Sequence, residues 1–491
     1  MGANSLQTLA LQVILLAPIT AIIVALLGGR ARLAEWANLA ASVLVLGAAL
    51  PLPFALRAAH TYWNGWLFLD ALGAWVLLIV ALVYLLASIY AVGYMRLLGE
   101  DRRLCRFYAL FAGFACTMLL APLVNNVGLY WIAIELTTLV STFLVGFERA
   151  EASIEAAWKY IVVVSAGITL ALLGTVLLYW GGSLVVGPSY ALTWQSLIAL
   201  APKMPPTLLR LGFLLILIGY GTKVGLAPMH TWLPDAHSEG PTPVSAMLSG
   251  ALLNTAMLGI VRTLAATDAA GAGALPHAAL VLFGVVSLLV GALFIVRQEG
   301  IKRLMAYSSV EHMGVVALGF GFGGALGVAG ALYHMLNHGL NKSLLFFGAG
   351  NVMRRYASKK IPDIRGVLDA FPATGWLWLA GAVAITGAPP FGLFLSELNI
   401  LRAGFQGVYA WAAVIMLALL VVIFVGFLNH FRSLYFEPAG GMAPAQGSLP
   451  STWCRLPMWL AAPPLLILGL WWPGAFSRVF TSVARSLGVG P

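Results

Sequence analysis

Four charged side chains, Glu135, Lys223, Lys342 and Glu397, stand in stretches otherwise apolar enough to cross a bilayer. Charge at that depth is costly, so such residues are candidates for function before any other reading. Glu135 lies about nine residues, roughly 14 Å, into LYWIAIELTTLV and its flanks, near mid-bilayer. A carboxylate there must be paired, hydrated or protonated, and Lys223 is the obvious partner. Bringing the two together holds a proton on the lysine and separating them frees it, which makes the pair a switch. In LYHMLNHGLNKSLLF, His334, His338 and Lys342 recur every fourth residue, with Asn337 and Asn341 beside them. That spacing sets all three on one slowly drifting helix face over roughly 12 Å. A stripe of groups that both give and take protons is what a water-assisted relay needs, with Glu397 at its end.

The stretch GYGTKVGLAPMHTWLPDAHSEGPTPVSAMLSGALLN, from Gly219 to Asn254, puts Pro228, Pro234, Pro241 and Pro243 among His230 and His237, just after Lys223. Proline removes a backbone donor and breaks the helix. At membrane depth the freed groups must be met by protein or a wet cavity. GAPPFGLFLSELNIL repeats the pattern, with Pro389 and Pro390 ahead of Glu397. His230 and His237 read equally well as relay members or as hydrogen-bonding groups between helices. Glu311 and His312 read equally well as site residues or as interfacial neighbours of Lys302 and Arg303. Serine, threonine and tyrosine along the spans are read as packing residues, and Trp63, Trp66, Trp471 and Trp472 as interface anchors.

Metal chemistry finds little support. There is no HExxH or paired ExxH, and His334 with His338 offers two ligands only. Cys105, Cys116 and Cys454 are scattered without a CxxC, which argues against iron-sulfur, haem-attachment or zinc sites. Gly319, Gly321 and Gly324 satisfy GxGxxG, but in an apolar helix end without a βαβ unit. No cofactor and no metal are expected in this chain, and redox chemistry is assigned to other chains.

The elements that must position these residues follow from composition. With 61% hydrophobic and 9% charged residues, the 491-residue chain is an all-α membrane protein. Its net charge of +10 reflects basic loops on one side of a membrane, so no nucleic-acid partner is expected. The N-terminus has no basic residue before its first apolar run and is read as a retained first helix. Hydropathy predicts about 14 transmembrane helices: 9–28, 33–56, 67–93, 107–123, 126–146, 157–180, 208–231, 243–266, 276–296, 301–322, 326–352, 373–401, 408–431 and 456–474. Loops after odd-numbered helices then carry 18 of the 27 lysines and arginines and the other side seven, with Arg262 among the seven and Lys302 among the 18. That bias places both termini on the non-cytoplasmic face. The two broken helices lie five spans apart and so run in opposite directions, as in two inverted five-helix repeats, each with a broken helix. The expected segments are 1–104 (helices 1–3), 105–267 (first repeat), 275–436 (second repeat) and 437–491 (last helix).

GLAPMHTWLPDAHSEGPTPVSAMLSG, KRLMAYSSVEHMG and HGLNKSLLFFGAG, in that order, resemble the motifs of the antiporter-like membrane subunits shared by respiratory complex I, Mrp-type cation/proton antiporters and membrane-bound hydrogenases. The resemblance covers about residues 65–430. It implies the fourteen-helix inverted-repeat fold. It also implies that Glu135 is the fifth-helix glutamate, Lys223 the seventh-helix lysine, Lys342 the central-axis lysine and Glu397 the terminal twelfth-helix residue. Asn254 stands where many relatives carry lysine or histidine, so the link between halves would rely on water. Glu397 in place of lysine resembles the M type of complex I subunit. Asn254 and the SSVEHMG wording are similar to the hydrogenase-4 and formate hydrogenlyase branch, in its component F type. Implied function is proton translocation within a multi-subunit complex of a bacterial or archaeal cytoplasmic membrane, beside other membrane subunits and a peripheral hydrogenase or dehydrogenase arm. A cation/proton antiporter and a non-conducting scaffold are the alternatives.

Overall fold

The computed structural model describes residues 3–98, 101–437 and 451–489. Of the expected last segment, 438–450 and 490–491 lie outside the described residues. Among the described residues, eleven helical stretches are long and apolar enough to cross a membrane, from Ser5–Leu27 to Thr452–Leu470. The other expected spans are helical as well, but each is interrupted or diluted by the polar groups that make it interesting. Ile301–Phe322 carries Glu311 and His312, Gly324–Tyr356 carries the histidine and lysine stripe, and the twelfth is split into Pro372–Ile385 and Gly392–Gln406.

Burial sorts these helices into a centre and a rim. The best apolar window of Thr242–Ala269 is wholly buried, and that of Ala71–Met95 is 89% buried, whereas Ser5–Leu27, Ala410–Phe436 and Thr452–Leu470 are each 33% buried. The central helix, Gly324–Tyr356, is buried almost throughout from Gly327 to Val352. It crosses the linking helix, Thr242–Ala269, where Gly250 and Gly339 face one another: a Cβ on either would sit 3.0 Å from the other's carbonyl oxygen. At that crossing the linking helix opens into a π turn, Leu248–Leu252. Such wide turns occur mostly as single bulges at functional places.

Both predicted breaks are present and are built alike. The Lys223 helix, Pro206–Val224, ends at Gly225 in the left-handed region (φ 81°), followed by a cis Ala227–Pro228 bond and the short helix Trp232–Glu239. The second break has Gly387 (φ 65°) and a cis Pro389–Pro390 bond before the Glu397 helix, Gly392–Gln406. Freed backbone groups find protein partners, as membrane depth requires. The amide of Ala227 donates to Ser287 Oγ (2.9 Å), and Trp232 Nε1 donates to the Thr222 carbonyl (2.8 Å).

Two residues counted from sequence as loop cations are buried. Arg262 lies inside the linking helix at 2% exposure and donates to Asp70 at 2.6 Å, with its guanidinium near the Phe68 and Trp194 rings. Lys302 is 4% exposed and donates to the Gly240 carbonyl at 2.7 Å. Hydropathy alone cannot separate a loop cation from one whose partner folds back from a distant segment. An amphipathic helix, Gly474–Ser486, which the sequence reading did not place, buries Val479, Phe480, Val483 and Ala484 at helical spacing. It sets Phe476 and Phe480 edge-on to Trp75.

Candidate functional site

Lys223 occupies the last turn of its half-helix, where carbonyl ends favour a cation. Its Nζ donates to Thr138 Oγ1 (2.8 Å) and to Tyr160 OH (2.7 Å) and lies 4.9 Å from the Tyr160 ring centre. Glu135, on the helix Val127–Val145, instead accepts from Ser165 Oγ at 2.7 Å, and its Oε2 is buried with no protein partner. The expected Glu135–Lys223 contact is therefore not made: among the described residues no ion pair includes Glu135. The reason is helical geometry. Thr138 lies three residues beyond Glu135 on the same helix, so the lysine meets that helix one turn further along.

Between the halves, His230 is 8% exposed with Nδ1 unpartnered, 6.3 Å from the Tyr307 ring. His237 is fully buried against Phe346, both ring nitrogens without a protein partner. Ser249 on the π turn shares a hydrogen bond with Ser309 (2.8 Å) across to the His312 helix, Ile301–Phe322. One turn on, Asn254 donates to the Gly250 carbonyl at 2.9 Å and to that of Met335 on the central helix at 3.4 Å, leaving its Oδ1 unpartnered.

In the second half, Lys342 donates to the Met305 carbonyl (2.9 Å) and to Ser308 Oγ. The rings of His312, His334 and His338 form one cluster, with centres 5.0, 5.6 and 6.5 Å apart. His312 Nδ1 meets His334 Nε2 at 2.9 Å, His312 Nε2 meets the Ile385 carbonyl at 3.1 Å, and His334 Nδ1 meets Ser396 Oγ at 2.9 Å. The Ile385 carbonyl closes the half-helix Pro372–Ile385, so His312 satisfies a backbone group freed by the second break. Glu311 Oε2 approaches His312 Nε2 at 3.2 Å without hydrogen-bond alignment. Glu397 is 6% exposed with Oε1 unpartnered. Its carboxylate lies against Gly387, where a Cβ would overlap it.

Apart from half-buried Glu135, every residue read from sequence as a relay candidate is buried, and Lys342, His338, His334, His312, Glu311 and Glu397 come together as one cluster. Lys223 with Glu135 forms a separate group in the first half, and Asn254 lies between. Protein atoms leave His237, His338 and Asn341 entirely unpartnered, together with single oxygens of Asn254, Asn337, Glu311 and Glu397. Buried polar groups are rarely left so, and a run of them is the natural lining of a hydrated path.

The hydroxyls read as packing residues are the main omission. Thr138, Tyr160, Ser165, Ser308 and Ser396 each hold a charged group or a histidine. Ser308, three residues before Glu311 in KRLMAYSSVEHMG, shares a helix face with it, a signal that could have been used. Nothing in the sequence ties Tyr160 to Lys223. Among the described residues, one ligand atom from each of His312, His334 and Glu397 lies within 4.8 Å of the other two.

Residues 124–423 match the membrane region of the NADH:quinone oxidoreductase/Mrp antiporter family, and residues 64–108 match the N-terminal region of complex I chain 5. A hydrogenase-4 component F homolog of Methylacidiphilum infernorum is 41% identical over 346 residues, covering 69% of this chain and 72% of that one. The NADH-quinone oxidoreductase subunit N of Desulforudis audaxviator is 30% identical over 429 residues, covering 83% and 82%. In fold, a chain of the archaeal membrane-bound sulfane sulfur reductase superposes with a TM-score of 0.87 at 22% identity over 98% of both chains. With three-fifths of its length matched to the family and the broken helices and buried lysines in place, this chain belongs to the NADH:quinone oxidoreductase/Mrp antiporter membrane-subunit family.

Proposed function

We propose that this chain is the proton-translocating membrane subunit of a respiratory or hydrogenase complex, with all redox centres in partner chains. The single observation that carries the reading is the succession of buried ionisable groups, flanked by partnerless polar atoms, from Lys223 to Glu397 between two broken helices, with half-buried Glu135 beside its start. Electron transfer in a peripheral arm would alter the charge beside Glu135. Lys223 would then exchange its proton through Tyr160 and water near His230, His237 and Asn254 toward Lys342. From there His338, His334 and His312 pass it to Glu397. The fourteen-helix count, the inverted repeats and the non-cytoplasmic termini belong to the same reading, as does placement in a bacterial or archaeal cytoplasmic membrane.

Replacing Lys223 by alanine tests it. Vesicles containing the assembled complex should keep electron transfer through the partners but lose substrate-driven acidification, read with a pH-sensitive dye. Normal acidification in that variant overturns the proposal. Because the family also contains Mrp-type antiporters, a second reading is sodium-for-proton exchange. Sodium-dependent proton movement in vesicles given no electron donor would establish it in place of the first. A scaffold that conducts nothing would leave Glu135→Gln and Lys342→Ala both silent in proton transport.

A further inference from the structure

The His312–His334 contact has a proton count that two neutral imidazoles cannot meet. The Ile385 carbonyl beside His312 Nε2 only accepts, so that nitrogen carries the hydrogen. Ser396 Oγ donates its one hydrogen to the Leu393 carbonyl (2.7 Å), so at 2.9 Å it accepts from His334 Nδ1. Each ring has then used its hydrogen facing outward. Two lone pairs, on His312 Nδ1 and His334 Nε2, point at one another across 2.9 Å. Two lone pairs so placed make a seat for a cation.

The same arrangement is what a transition-metal site requires. Imidazoles that bind metal hold their other nitrogen on a carbonyl, hydroxyl or carboxylate, which fixes tautomer and ring plane, and both rings are held that way here. Tetrahedral zinc with bonds near 2.0–2.1 Å sets its ligand atoms about 3.3 Å apart. The two nitrogens are already closer than that, and one ligand nitrogen of each ring lies within 4.8 Å of a Glu397 carboxylate oxygen, so the carboxylate needs to move by about 1.5 Å at most. Its Oε1 has no partner to give up. A cavity of about 220 Å³ reaches this carboxylate between Thr386 and Gly387 on one side and the apolar Leu417, Val421 and Phe424 on the other. Lys342 nearby opposes a second cation, but Glu311 and Glu397 offset a divalent charge.

We propose that His312, His334 and Glu397 form an inhibitory divalent-cation site of the zinc class, completed by water, in which the metal sits between the two rings and blocks the relay. The proposal deepens the function above by naming what stops it. Cobalt(II) chloride titrated into the purified full chain in detergent should give the visible absorption of a four-coordinate ion, at one per chain. Zinc should bleach that signal by displacement. His334→Gln should weaken binding on the order of 100-fold, while His430→Gln, remote from the cluster on the helix Ala410–Phe431, should not. Should His334→Gln fold poorly, His312→Cys keeps three ligands and should move the cobalt spectrum toward a thiolate charge-transfer band. No four-coordinate spectrum, or one unchanged in His334→Gln, overturns the proposal. Binding is read on resting protein, so its failure leaves proton translocation standing, and loss of translocation leaves the binding result intact.

Discussion

At the scale of single residues, hydroxyls hold both buried lysines and Glu135: Thr138 and Tyr160 at Lys223, Ser308 at Lys342 and Ser165 at Glu135. Glu135, Lys223, Lys342 and Glu397 announce themselves because hydrocarbon makes charge expensive. A hydroxyl announces nothing, since serine and threonine sit comfortably in spans by bonding back to their own helix. Tyr160 is the instructive case. It supplies one of the two oxygens that hold Lys223, at 2.7 Å. A hydrogen bond to a charged group contributes about 1.5–3 kcal/mol, so Tyr160→Phe should slow proton translocation about tenfold or more without loss of assembly. An unchanged rate in vesicles would remove Tyr160 from the lysine's machinery. The expected direct Glu135–Lys223 pair rested on counting depth along each helix. Such a count is good to about a turn, and the lysine meets the helix one turn further along, at Thr138.

At the scale of elements, the breaks could be read from proline and glycine alone, because each residue type has one backbone consequence. What they support could not be. Gly387 serves two ends at once: its left-handed backbone turns the chain after Pro372–Ile385, and its missing side chain leaves room for the Glu397 carboxylate. Gly387→Ala should cost about 1–3 kcal/mol from backbone strain, seen as a lower melting temperature. Proton translocation should fall further than the loss of folded protein explains. If transport per folded molecule matches the unaltered chain, the glycine matters for the turn only. The close crossing of Gly250 and Gly339 explains how the linking and central helices bring Asn254 to the Met335 carbonyl. Sequence offered the asparagine but not the crossing, which depends on a π turn with no reliable signature.

At the scale of the whole molecule, salt bridges outside the spans hold the broken Trp232–Glu239 segment in place. Asp235 bonds Arg303 and, at 3.2 Å, Lys159, while Glu239 meets Lys359 at 2.7 Å. Burial raises the Glu239 carboxyl, but Lys359, Ser238 and Lys302 pull it down by more, so it lies below its usual value of 4.5. A carboxyl lowered by folding adds stability above its unfolded value and gives it up as pH falls through the lowered one. The melting temperature should therefore drop on acidification below about pH 4.5, and less steeply in Glu239→Gln. Equal slopes would show that the Lys359 contact contributes nothing measurable, a common fate of exposed pairs.

Glu135 is only half-buried, on a helix whose Ile132, Leu136, Leu139 and Phe143 face outward. The opening charge of the series, its Oε2 buried and its Oε1 held by Ser165, thus stands just beneath the outer flank of the bundle. Whatever protein or lipid abuts that flank sets its dielectric and its counter-charge. One copy of this chain placed beside two different neighbours would behave as two different machines.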